Sequence, residues 1–342
     1  PALPGRHAPP GTGAALRCHR VRLRARRARP TPGRAVTAPL VSLITPAYNQ
    51  ARWLPETIES VLAQTHPAID YLVVDDGSSD ATPEVLARYA GRVASRRQAN
   101  RGQVRTLNAF WEAAPGGYLA YLSSDDTLAP TAIARAVERL EADPSLVAVF
   151  PQADLIDENS RLLKRRVCRP FDLADLVIHQ ECWIGPGAVF RASAYRAAGP
   201  WNPALRLAPD REFWMRMAQL GGIAMIDEPL AGYRLHAASI SSSELSEERA
   251  REYLAVLDLY FARPDVPAAI RARRDEAYGR ANLVIARIRA RAGDWPRFRH
   301  YWREAVRLHP PLAGLSTQAM LARAVVGKRV RLVQARLKAA LG

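Results

Sequence analysis

The sequence predicts an α/β fold: a mostly parallel sheet flanked by helices, followed by an all-helical C-terminal extension. Two observations carry this expectation. Between residues 41 and 150, short β-rich apolar runs alternate with stretches of helical spacing, joined by short turns, which is the pattern of βαβ units. Beyond Ser243 the apolar positions keep helical spacing, with breaks at Pro, Gly and Asp.

The first strand is Val41-Ser-Leu-Ile-Thr45, stopped by Pro46, and a helix follows over Trp53–Gln64 with Trp53, Ile58, Val61 and Leu62 on one face. Tyr71–Val74 is the second strand. It runs into the turn Asp75-Asp-Gly-Ser-Ser-Asp80 and a helix over Thr82–Tyr89. A weaker strand at Arg92–Arg96 precedes a helix at Gln103–Ala113 and a strand at Tyr118–Leu122. A helix at Pro130–Leu140 then leads to the strand Leu146–Phe150. Residues 151–240 are less regular, with a hairpin expected over Gln152–Arg165 and a helix over Asp210–Gln219. The last helices are expected at 244–262, 266–292, 296–308 and 317–341. This divides the chain into a disordered basic tail (1–38), a catalytic domain (39–243, with halves 39–150 and 151–243) and the helical extension (244–342).

The net charge of +16 raises the question of nucleic-acid binding, and its distribution answers it. Residues 1–40 hold nine arginines and no acid. Residues 251–342 hold 19 basic and seven acidic residues, which leaves −5 for 41–250. The chemical motifs all lie in that acidic middle, so no specific nucleic-acid partner is expected. The three cysteines, Cys18, Cys168 and Cys182, form no CxxC pair and are expected as free thiols in a reducing compartment. No apolar run of about 18 residues appears, and the basic N-terminal stretch lacks the apolar core of a signal peptide. A cytoplasmic protein is therefore expected.

In a parallel sheet, ligands bind beyond the carboxyl ends of the strands. Tyr48-Asn49, Asp75-Asp76 and Asp125-Asp126 each follow a predicted strand, so all three motifs fall on one edge. A buried carboxylate pair such as Asp125-Asp126 is costly unless it holds a hard divalent cation, Mn2+ or Mg2+, against a diphosphate. The plainer alternative is a cap for the helix near Pro130. Asp76 can accept an N–H from a base over which Tyr48 stacks, and Gly77 permits the tight turn, although an ordinary Asp-Gly-Ser turn has the same composition.

Taken together, Val41-Ser-Leu-Ile-Thr-Pro-Ala-Tyr-Asn49, Val73-Val-Asp-Asp-Gly-Ser-Ser-Asp80, Asn100-Arg-Gly102 with Asn108, and Tyr121-Leu-Ser-Ser-Asp-Asp126 resemble the motifs of family 2 glycosyltransferases, in the family's order. Asp210-Arg-Glu-Phe-Trp-Met-Arg216 resembles its catalytic-base helix, and Tyr233-Arg-Leu-His236 its closing motif. The resemblance covers roughly residues 41–243. It implies a GT-A fold and inverting transfer of a sugar from a nucleotide-diphosphate donor, UDP- or dTDP-linked by preference, to an acceptor hydroxyl. Cell-surface polysaccharide, O-antigen or glycolipid synthesis is the implied setting, with a saccharide or lipid-linked saccharide as acceptor.

Carried over by position, Tyr48 stacks on the base, Asp76 binds its N–H, and Asp75 supports the turn or the ribose. Pro46, Asn100, Gly102, Asn108 and Ser124 complete the donor pocket. Asp125 contacts the ribose and the metal, and Asp126 is the direct metal ligand. Ser123 stands where many members carry a further Asp, so the acidic motif is shortened. Asp210 is the expected general base, kept ionised by the positive start of its helix, with Phe213, Trp214 and Arg216 behind it. Arg234 can pair with phosphate and His236 can complete the metal shell. Trp183-Ile-Gly-Pro-Gly187 is either the floor of a sugar pocket or a plain turn.

Two features leave alternatives open. From Leu321 to Leu341 apolar and basic residues alternate at helical spacing, as in a helix that lies on anionic lipid at the inner membrane face or one that packs on residues 250–310. The shortened acidic motif also admits a non-catalytic sugar-nucleotide-binding or scaffold protein.

Overall fold

The computed structural model describes residues 38–236 and 246–323, together with the backbone of Arg22–Leu23. The described strands form one ten-stranded sheet: β1 (Arg22–Leu23), β2 (Val41–Ala47), β3 (Ile69–Asp75), β4 (Ala94–Arg97), β5 (Tyr118–Tyr121), β6 (Thr127–Leu128), β7 (Leu146–Ile156), β8 (Leu162–Lys164), β9 (Val189–Arg191) and β10 (Gly222–Arg234). The flanking helices are α1 (Leu54–Leu62), α2 (Thr82–Arg88), α3 (Gln103–Ala113), α4 (Ala132–Ala142), α5 (Ala192–Ala198) and α6 (Pro209–Met217). Those of the C-terminal extension are α7 (Glu247–Phe261), α8 (Ala268–Arg271), α9 (Arg274–Ala292) and α10 (Trp295–Leu308).

The central order β3-β2-β5-β9-β7-β10 explains the sequence pattern. Every residue of β2 is buried, with no polar alternation, because helices cover both faces of an inner parallel strand. Strands β4, β3, β2 and β5 are mutually parallel, as expected. The sheet as a whole is mixed. The three-residue β9 inserts antiparallel between β5 and β7, too short to show a period of its own. It reverses direction twice, so β7 and its parallel partner β10 again run the same way as β5. The carboxyl ends of β2, β3, β5 and β10 thus share one edge.

Strand β10 is the largest element that the sequence hid. Its 13 residues contain Asp227-Glu-Pro229, which reads as a break, yet the register shifts on both sides of Pro229. A bulge lets a residue without an N–H sit inside a ladder. The expected hairpin is present as β7–β8.

Two observations bear on the expected boundaries. Arg22–Leu23, inside the tail expected to be disordered, pair antiparallel with Ile69–Asp70, an edge that β4 leaves open by starting opposite Leu72. The other residues of 1–37 lie outside the described residues. The division at 243/244 also cuts through a single core: Val256, Leu257, Tyr260, Phe261, Ile270 and Ala277 of the extension belong to the same buried cluster as Phe213, Trp214 and Val149. The separate cluster formed by α7, α9 and α10 is small and centres on Ala250, Ile285, Ala286 and Tyr301. Most of the basic amphipathic segment 321–341 lies outside the described residues.

Candidate active site

The edge predicted from the strand ends is built by reciprocal hydrogen bonds between loops. Asn49 follows β2 with a φ of 55°, a left-handed conformation that Asn tolerates. Its side-chain oxygen accepts from Ser79 N (2.8 Å) and Asp80 N (3.3 Å), and its own N–H donates to Ser78 Oγ (2.9 Å). Pro46 is buried beside Val74 in the β2–β3 ladder, whereas Tyr48, one turn of chain further, is half exposed at the rim. Its free ring face is what stacking on a base requires.

Asp75 is fully buried, accepts from Ser78 N (2.8 Å) and pairs with Arg97 Nε at 3.3 Å. It supports the turn, one of the two roles expected of it. Gly77 has a φ of +82°, and a Cβ there would lie 2.8 Å from Asn100 N. Only glycine lets the loop that carries Asn100 come so close. Asp76 sits underneath that loop. Its Oδ1 accepts from Gln98 Nε2 (2.8 Å) and Arg101 N (2.9 Å), and its Oδ2 from Gly102 N (2.7 Å). The carboxylate expected to meet a base thus also anchors the segment 98–102, leaving Asn100 and Gly102 exposed above it.

Two of the residues expected to contact the donor already have hydrogen-bond partners within the protein. Asn108 donates through Nδ2 to Trp201 O (2.8 Å) and accepts from Trp201 N through Oδ1 (2.9 Å), so its amide is spent on tying α3 to the loop before α6. Arg234 is almost fully buried. Its guanidinium donates to Asp125 O (2.7 Å), Asp157 O (3.1 Å), Ser160 Oγ (2.9 Å) and Glu56 Oε2 (2.6 Å). It clamps the acidic turn to the β7–β8 hairpin. Replacing Arg234 with Met is expected to cost about 1 to 3 kcal/mol, because the part-buried Asp125 carbonyl and the Ser160 hydroxyl lose their donor, whereas Asp157 O keeps that of Ser160 N and the half-exposed Glu56 contributes little. Urea unfolding with the midpoint of the parent chain would refute that account.

The acidic turn is equally well held. Thr57 donates to Asp126 O (2.8 Å), and Asp126 Oδ1 accepts from Arg234 N (2.8 Å). Neither Asp125 nor Asp126 caps α4, whose N-cap is Thr131. Ser124 is buried within the turn. Burial, and then the neighbouring Asp125 charge, push the Asp126 carboxyl well above the usual carboxylate range, against the pull of the Arg234 amide and guanidinium. His236 Nε2 lies 2.9 Å from Asp125 Oδ2, and its ring stacks on Trp53 with centroids 3.9 Å apart. Among the described residues no three acidic, His or Cys side chains already form a cage. Two neighbouring carboxyls, one of them buried, with an imidazole beside them are the kind of donors that could hold a hard divalent cation.

Asp210 lies in the first turn of α6. Helix and residue are where the motif placed them, but the electrostatics differ from expectation. Burial raises the Asp210 pKa, and the Arg211 charge and the local backbone amides only partly offset it. Desolvation outweighs the short helix. Behind it, Phe213 and Trp214 pack with Trp111, Phe190, Tyr195 and Trp201, while Arg216 pairs with Glu212 (2.7 Å) and donates to Gly199 O (2.9 Å). In the Trp183–Gly187 loop the glycines serve packing: a Cβ at Gly185 would meet Cys168 Sγ at 2.7 Å, and one at Gly187 would meet Leu128 at 2.7 Å.

Tyr121, the partly buried last residue of β5, has its hydroxyl pKa pushed far up, first by desolvation and then by the charges of Asp210 and Asp126, so both charges act on one side chain. Cys182 is pushed up to about 12, by burial and then by Asp210. Cys168 and Cys182 are free, as expected. The residues missed in the sequence are Tyr121, Trp53, Thr57 and Arg97. Tyr121 stood inside a quoted motif, and Trp53 was seen only as an apolar helix position.

The family model "Glycosyl transferase family 2" matches residues 42–198. A glycosyltransferase of Nostoc sp. is 30% identical over 276 residues, which span 72% of this chain and 85% of that one. A putative teichuronic acid biosynthesis glycosyltransferase of Bacillus subtilis is 30% identical over 212 residues, 60% of this chain and 83% of that one. Among solved structures, residues 1–349 of Staphylococcus aureus TarS, in complex with UDP-GlcNAc, superpose with a TM-score of 0.58 at 16% identity over 77% of this chain and 90% of that one. A mannosyltransferase of Pyrobaculum calidifontis, in complex with GDP-Man and Mn2+, does so with 0.53 at 20% identity over 86% and 88%. These two similarities bear on the fold: a curled mixed sheet with flanking helices and a helical C-terminal region.

Proposed function

The chain belongs to glycosyl transferase family 2 and is a glycosyltransferase, and from that premise we propose that it inverts the anomeric centre while moving a sugar from a nucleoside diphosphate to an acceptor hydroxyl. What supports the reading most is that the charges of Asp126 and Asp210 both act on the Tyr121 hydroxyl, as two carboxylates bordering one cleft would. A diphosphate at the Asp126 corner leaves Asp210 to face the sugar from another side, the arrangement that in-line displacement needs. The raised pKa of Asp210 suits it to accept a proton.

In this reading Tyr48 stacks on the base, Asp76 presents the Asn100–Gly102 loop to the nucleotide, and Asp126, Asp125 and His236 hold Mn2+ or Mg2+. The cation, when bound, neutralises the departing diphosphate. UDP- or dTDP-sugars are the favoured donors, and the TarS and mannosyltransferase complexes with UDP-GlcNAc and GDP-Man support a nucleotide-sugar donor in general. The named activity of the Bacillus relative supports a saccharide acceptor in cell-surface polysaccharide synthesis. Among the described residues no helix is long and apolar enough to cross a membrane.

The test is a screen of UDP-, dTDP- and GDP-sugars for thermal stabilisation and nucleotide release, with Mn2+ and with chelator. A donor that stabilises the chain and turns over only with the metal is the expected result. No stabilisation by any nucleotide diphosphate would overturn the reading.

A further inference from the structure

Asp210 needs a defined position, yet the segment leading to it carries no local cap. The N-cap of α6 is Ala208, without a side-chain hydrogen bond, and Pro209 follows it. Backbone donors at a helix start need acceptors, which Ser, Thr, Asp or Asn usually supply. The first helical amides, those of Asp210 and Arg211, are taken by the Asp210 carboxylate itself, whereas the amides just before the helix find their acceptor 44 residues further along the chain. Glu252, on α7 and buried, receives three consecutive amides on one carboxylate oxygen: Arg206 N (2.9 Å), Leu207 N (2.6 Å) and Ala208 N (3.2 Å). Its second oxygen also accepts from Arg206 N (3.0 Å). The next residue, Tyr253, lies under the Arg211 guanidinium at 5.3 Å. Arg211 is held from its other side by Leu176 O (3.1 Å) and Gln180 Oε1 (3.3 Å). Adjacent residues of α7 therefore fix positions 206–208 and 211, the two sides of Asp210. The matched family model ends at residue 198, before either helix.

We propose that Glu252 is a positioning residue for glycosyl transfer: by gathering the Arg206, Leu207 and Ala208 amides it sets the start of α6 and thereby aims the Asp210 carboxylate into the cleft. The inference rests on Asp210 acting as the base. It gives the helical extension an indirect part in catalysis, through Asp210, that propping the catalytic domain would not require. A negative charge near the start of α6 also complements the helix dipole.

The experiment uses the full chain and the sugar nucleotide that turns over fastest among UDP-, dTDP- and GDP-sugars, with UDP as the binding probe. Glu252→Gln has nearly the same shape but loses the negative charge and replaces one of the two acceptor oxygens with an NH2 donor. It is expected to lower kcat by about tenfold to a hundredfold, the cost of a misplacement near 1 Å, with UDP affinity and cooperative melting retained. Glu252→Asp keeps the charge and should recover part of the rate. The double variant Asp210→Asn/Glu252→Gln should be as slow as Asp210→Asn alone, because two residues acting through one group are not additive. The proposal is overturned if Glu252→Gln leaves kcat unchanged, weakens UDP binding in parallel with kcat, or slows the Asp210→Asn enzyme further. Should the residual rate of Asp210→Asn fall below detection, the separate responses of kcat and UDP affinity decide. Full turnover by Asp210→Asn would instead sink the general-base reading itself, so the two failures are distinct.

Discussion

Replacing Asp210 with Asn is expected to lower kcat by about 10³-fold while leaving UDP affinity within about twofold, since general-base catalysis contributes roughly 10² to 10⁴. The side chain is nearly isosteric, so packing against the aromatic cluster should survive and the loss should fall on the proton transfer alone. Two pH effects follow from the same burial. Because the Asp210 pKa is raised, the acid limb of kcat should lie above the ordinary aspartate range near about 3.9. A carboxyl whose pKa is raised on folding stabilises the fold below its unfolded pKa, and that contribution fades as pH rises through the folded value. At neutral pH the charged form is therefore a burden, and the Asn variant should melt at a higher temperature than its parent. A group kept at a cost to stability and lost at a cost to rate is what a functional site requires. Calorimetric melts across pH, beside kcat profiles, check both effects. An Asn variant that is fully active, or one less stable than its parent at neutral pH, would count against this account.

Asp126→Asn should have the second-largest effect, on metal-dependent donor use. The substitution keeps an oxygen to accept from Arg234 N, so the turn should hold. It removes the charge that makes this buried corner suited to a cation. The expected loss is about 10²- to 10³-fold in kcat/KM, from the several kcal/mol that a metal supplies to a leaving diphosphate. UDP affinity measured in chelator should be unchanged, while the increment gained on adding Mn2+ should disappear. If that increment persists in the variant, Asp126 does not hold the metal. The shortened motif at Ser123 makes this measurement informative, because the turn offers only its two carboxylates and the neighbouring His236 imidazole.

The lesson about legibility lies in particular residues. The apolar runs of β2, β3 and β5 were readable because an inner parallel strand is apolar throughout, and the motifs that follow them were placed on one edge by chain direction alone. Glycine at position 77 was readable as a turn residue, but its reason, the close approach of Asn100, was not. Arg234 and Asn108 looked like ligand contacts because their side chains are versatile donors. Only their neighbours, Asp125 and Asp157 for one and Trp201 for the other, show that those donors are already used. β10 was hidden because Pro229 breaks a strand in sequence but sits harmlessly at a bulge.

By itself, then, the sequence determined the α/β class, the edge that carries Tyr48, Asp76 and Asp126, and the identity of the Asp210 helix. These follow from local periodicity and from chain direction, which need no distant partner. The tertiary structure alone showed that Arg234 and Asn108 brace the site, that the charges of Asp126 and Asp210 both reach Tyr121, and that desolvation raises the Asp210 pKa. It also decided that Glu252 reaches back from α7 to the start of α6. Each of these depends on side chains far apart along the chain being brought into contact, and on the loss of water around them, neither of which is written in any local run of residues.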